Sequence, residues 1–115
     1  MDLAPVRSAL LTLHRELVDL ERRHYEKTHG RMASADFLQA LINEPAFAWL
    51  APLTTLIVRL EELEEGEDAG VLIAEARRLL APGHRAFHTR YAEHVQESPE
   101  VAFAHGAAVR ALRQP

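Results

Sequence analysis

A chain of 115 residues with a net charge of −4 has room for one core and does not suit a general nucleic-acid binder. Apolar residues make up 48% and charged residues 26%, a globular balance that argues against disorder. There is no cysteine, which excludes disulfides, thiolate metal sites and thiol catalysis.

The chain opens on Leu3, Val6, Leu10, Leu13, Leu17, Leu20 and His24, spaced 3, 4, 3, 4, 3, 4. That rhythm keeps all seven side chains on one stripe and predicts a long amphipathic helix over residues 3–27. Asp2 suits its N-cap, Pro5 is tolerated in its first turn, and Gly30 suits its end. Leu11, Val18 and Tyr25 form a second row beside the stripe. The apolar face is therefore wider than a two-stranded coiled coil needs, and a bundle fits better. Seam positions exclude water, so His24 and, on the last helix, His105 are expected to be shielded, with Glu21 reaching solvent.

Ser34 opens a short helix whose expected buried side is Phe37, Leu38, Leu41 and Ile42, and Asn43-Glu44-Pro45 stops it. Between Pro45 and Pro52 lies the aromatic centre, Phe47 and Trp49, predicted as a single helical turn. A helix from Pro52 carries Leu53, Leu56, Ile57, Leu60 and Leu63 inward and runs into an acidic stretch, residues 61–68, at the wrong end for its dipole. Asp68 can cap a fourth helix over residues 69–80, which Pro82-Gly83 breaks. A fifth, over 84–96, places Phe87, Tyr91 and Val95 at i, i+4, i+8. Ser98-Pro99-Glu100 then starts a sixth, with Val101, His105, Ala108 and Leu112 on one stripe. No stretch alternates with period two and there is no internal repeat. The expected fold is all-α, one domain over residues 1–115, a bundle of five to six helices.

The run Phe47-Ala48-Trp49-Leu50-Ala51-Pro52-Leu53, continuing through Ile57-Val58-Arg59-Leu60, resembles a segment of small all-helical bacterial proteins of unknown function. Leu13-His14-Arg15-Glu16-Leu17 near the start, and Arg90-Tyr91 with Ser98-Pro99-Glu100-Val101 near the end, extend the resemblance over nearly the whole chain. It implies a stand-alone bacterial protein and brings no activity or site residue with it.

Seven histidines are the chemically suggestive feature. Glu21 and His24 form Glu-x-x-His, the pair that di-iron bundles carry on two helices. The other copy, Glu26 and His29, lies on the same helix and is rotated away, so this is half a motif. His84 and His88 share a helix face at i, i+4 and suit zinc, but Arg85 stands where a metalloprotease has its glutamate. Phosphate loops are absent, and two of the three serines, Ser34 and Ser98, serve as caps. The expectation is therefore a cytoplasmic, non-enzymatic protein–protein interaction module, a homodimer, without cofactor, nucleic acid or membrane. Phe47, Trp49, Leu11, Val18 and Tyr25 are its candidate ligand or interface residues. The alternatives are a zinc- or iron-binding bundle drawing on Glu21, His24, His84, His88 and His105, and a small-ligand carrier around Trp49.

Overall fold

The 3–4 stripe does form one helix, α1 (Ala4–His29), about 39 Å long at 1.5 Å per residue. Val6, Leu10, Leu13, Leu17 and Leu20 are buried along it. Asp2 Oδ1 accepts the Ala4 N–H at 3.0 Å, and Gly30, at φ 82°, ends the helix with its N–H on the Glu26 carbonyl at 2.8 Å. A positive φ is nearly free for glycine and strained for other residues, which is why the chain turns there.

The computed structural model describes residues 2–64, 66–83 and 85–113, apart from the side chains of Arg85 and Ala86. After α1 come α2 (Ser34–Asn43), a 3-10 stretch (Pro45–Leu50), α3 (Ala51–Glu62), α4 (Gly70–Leu80), α5 (Arg85–Glu97) and α6 (Pro99–Arg113). Among the described residues there is no strand, and the chain is a single-domain all-α bundle. Among the described residues no single helix is long and apolar enough to cross a membrane.

Packing follows the stripes. α6 lies along α1 as its main neighbour, and α3, α4 and α5 close the bundle around the pair. The α1–α3 register is antiparallel: Arg7 donates through Nε and Nη2 to the Leu60 carbonyl, at 3.1 and 2.8 Å, and His14 Nε2 donates to Thr54 Oγ1 at 2.8 Å. Arg77 does the same for α6, donating to the Leu112 carbonyl through Nε at 2.9 Å and through Nη2. Each guanidinium thus satisfies a carbonyl in the last turn of a neighbouring helix, where no intrahelical donor remains. Arg59, on the polar side of α3, pairs with Glu75 of α4 at 3.0 Å. Ser98 caps α6 as expected, its Oγ accepting the Val101 N–H at 3.2 Å.

α2 departs from the expectation. Of its four supposed inward residues only Phe37 is buried; Leu41 is half-buried, and Leu38 and Ile42 are 53% and 67% exposed. The cause is its point of attachment. Gly30 turns the chain at the far end of α1, so α2 does not run along the core. Its main anchor is Phe37, set against Phe47 (5.7 Å) and Tyr25 (6.4 Å) with the Arg22 guanidinium 5.3 Å above it, and Leu41 packs part of its side chain on the core. These contacts bury one face and leave the Leu38 and Ile42 face uncovered.

Candidate functional site

Two polar clusters lie in this apolar bundle. The first joins α1 to α5. Glu21 and His24 on α1 face His94 and Glu97 on α5, and the pairing is reciprocal. His94 Nε2 donates to Glu21 Oε1 at 2.6 Å, and His24 Nε2 donates to Glu97 Oε2 at 2.5 Å. Trp49 Nε1 donates to the same Glu21 oxygen at 3.2 Å. One carboxylate therefore ties three elements together.

Burial separates the two pairs. Glu21 and His94 are 6% and 3% exposed, whereas the His24 and Glu97 side chains are 36% and 49% exposed. This reverses the expectation for this region: His94 is the enclosed imidazole, Glu21 is the enclosed carboxylate, and His24 stands at the rim. The His24 hydrogen bond holds the Glu97 carboxyl below its usual range. The His94 ring meets Trp49 edge-on at 5.0 Å and His24 at 5.7 Å, and its Nδ1 is buried without a partner.

The second cluster lies on α5 and α6. The Tyr91 hydroxyl, 1% exposed as a residue, meets His105 Nδ1 at 2.5 Å, and the His88 ring stands edge-on to Tyr91 at 6.3 Å. Burial pushes the Tyr91 phenol far up and the His105 imidazole down, the latter with a smaller push from the His88 charge. Tyr91 therefore keeps its proton, and we assign it as the donor to Nδ1, an assignment that places the N–H of a neutral His105 on Nε2. His105 also lines a cleft of about 360 Å³ with Arg77, Leu80, Ala81, Pro82, Val109, Leu112 and Arg113.

The two clusters are joined by rings rather than by hydrogen bonds. Trp49 packs on Phe87 at 5.5 Å, and Phe87 stacks on Tyr91 at 5.1 Å. His24 and His105 thus end in separate clusters. His84 lies outside the described residues. Among the described residues no three His, Asp or Glu side chains form a group able to hold a metal ion. In the first cluster each imidazole Nε2 is directed at a carboxylate of the facing helix, so the four groups do not focus on one point.

The remaining candidates are distributed. Phe47 is buried between Phe37 and Tyr25, and Tyr25 stacks on His29 at 3.9 Å. Trp49 is half-buried and spends its N–H on Glu21; Val18 is half-buried against the core. Leu11 is 46% exposed. His94 and Glu97 escape the Glu-x-x-His pattern because α1 and α5 meet here in parallel register, 21 with 94 and 24 with 97, so each imidazole finds a carboxylate only where the facing helix carries the reversed order, His94-x-x-Glu97. Comparison with protein-family models, with curated proteins and with solved structures finds no match to this chain.

Two partly enclosed histidines set a pH dependence. Burial lowers the pKa of His14 and of His105 below 6.5 in the folded chain. As pH falls, the unfolded chain takes up these protons first, so folding stability is complete above 6.5 and is lost as pH drops through the folded values. Glu97 and Glu100 act in a separate window, since their stabilisation is lost only as pH falls through values below 4.5. The urea midpoint should therefore fall between about pH 7.5 and about pH 5.5, and substituting both His14 and His105 by Gln should flatten that slope. A midpoint that rises on acidification would contradict the assignment.

Proposed function

We propose that the protein is a non-enzymatic interaction module that self-associates as a homodimer through the outer face of α2. The exposure of α2 carries the proposal: Leu38 and Ile42, at i, i+4, are 53% and 67% exposed on a helix that buries only Phe37. Large aliphatic side chains grouped on an exposed helix face are a common mark of a contact surface. A second copy is the favoured occupant because like must meet like across a two-fold axis, and this face carries no charge to repel itself. Asp36, the single charged residue of α2, lies off the Ala35–Leu38–Ile42 stripe by helical spacing. A bacterial origin rests on the resemblance described above, and the cytoplasm is an expectation from the sequence; both belong to the same proposal.

Sedimentation equilibrium tests it. The chain should form a dimer with a dissociation constant in the micromolar range, and Leu38→Glu with Ile42→Glu should give a monomer with unchanged helix content. A wild-type chain that stays monomeric at about 1 mM would sink the proposal. Stoichiometric zinc or iron in untagged protein would instead favour the metal-binding alternative.

A further inference from the structure

We infer that the cleft between α4 and α6 is a binding site for a small amphipathic carboxylate, a ligand with an apolar body and one anionic end. The cleft volume, about 360 Å³, lies in the range of small-molecule sites. Leu80, Ala81, Pro82, Val109 and Leu112 line it with aliphatic surface. Arg77, Arg113 and His105 also border it, and among the described residues no acidic side chain does.

The three polar groups differ in how they are held. Arg77 is fixed by its two donors to the Leu112 carbonyl, so its cation stays at the cleft without the entropy cost of ordering a free side chain. Arg113 is exposed in the last turn of α6 and borders the same cleft. His105 is oriented from behind. Tyr91 occupies Nδ1, so the remaining polar atom of the ring is an Nε2–H donor, the correct partner for a carboxylate oxygen and the wrong one for an ammonium. The ring of Tyr91 packs in the core as a phenylalanine would, and its hydroxyl adds the contact that orients His105. That arrangement, a fixed cation, an exposed cation and an oriented N–H around an aliphatic floor, matches a carboxylate head with its chain on the floor.

The cleft residues all belong to α4, α6 and the Ala81–Pro82 connection, and none to α2. Failure of this inference and failure of the dimer proposal are therefore separable, and the test can be run on the Leu38→Glu, Ile42→Glu variant as well as on wild type.

The test is a titration of the ¹⁵N-labelled full chain with octanoate below its micelle concentration, with octylamine as the charge-reversed control. Octanoate should give saturable shifts centred on Leu80, Ala81, Val109 and Leu112. Octylamine should bind at least about tenfold more weakly, and Arg113→Glu should weaken octanoate by about tenfold or more. Val109→Trp, which fills the cleft, should abolish the shifts while far-UV circular dichroism stays unchanged. Equal binding of octanoate and octylamine would show only a greasy surface and overturn the proposal. So would octanoate shifts centred outside the cleft, or none that saturate. Tyr91→Phe removes the group that orients His105, and it should narrow the preference for octanoate over octylamine; an unchanged preference would remove Tyr91 from the site.

Discussion

Glu21→Ala is expected to destabilise the fold by about 2–6 kcal/mol, the sum for leaving two buried donors unpaired at about 1–3 kcal/mol each. The carboxylate is the common acceptor for His94 and Trp49, so its loss strands two donors in a region already holding the unpartnered His94 Nδ1. Each stranded polar group adds its own desolvation cost. A total stability of about 5–15 kcal/mol leaves little after such a loss, and the urea midpoint should drop sharply. The neighbouring pair provides the control. His24 and Glu97 have the same chemistry and nearly the same distance, but water reaches both, so Glu97→Ala should change the midpoint little. Substituting Glu21 and His94 together by Leu should be less harmful than Glu21→Ala, since removing both partners leaves fewer stranded groups. Equal effects of Glu21→Ala and Glu97→Ala would show that burial of the inner pair is not what makes it matter.

That contrast could not be read from the chain. Periodicity told which residues share a face and predicted α1, α3, α4 and α6 with their inward sides, because each of those faces is met by a long neighbour. It could not tell what covers a face. α2 has an apolar pattern as clear as the others, yet Gly30 directs it to the end of α1, where Tyr25, Phe47 and Arg22 meet Phe37 and the Leu38 and Ile42 face stays exposed. His24 misled for a similar reason. It continues the α1 stripe, but at that level the facing surface is the last turn of α5, which offers the exposed Glu97 in place of an aliphatic wall. The Tyr91–His105 pair depends on the turn at Ser98-Pro99, which folds α6 back on α5 and brings together residues that share no sequence spacing rule. Trp49 was recognisable as a wedge at a proline turn, whereas its bond to Glu21 required the position of α1.

The two ends of the aromatic content should respond in opposite ways to truncation. Phe87→Ala should cost about 3–5 kcal/mol, the usual range for emptying a core ring site. Phe87 is fully buried and stands between Trp49 and Tyr91, with ring separations of 5.5 and 5.1 Å. Removing it opens a hole between rigid rings, which cannot collapse inward as flexible aliphatic chains do, so the cavity cost adds to the lost transfer energy. It also takes away the packing that positions Trp49 for Glu21 and Tyr91 for His105, and both polar clusters should loosen with it. Phe103, on α6, is 76% exposed, and Phe103→Ala should stay within about 0.5 kcal/mol. The pair of urea melts therefore tests the placement of α5 and α6 directly. Comparable losses at Phe87 and Phe103 would contradict it. Phe103→Ala also bears on self-association, because Phe103 lies on α6 and not on α2. If it weakens the dimer while leaving the melt unchanged, the contact between copies runs through α6, and the α2 face is not the one that joins them.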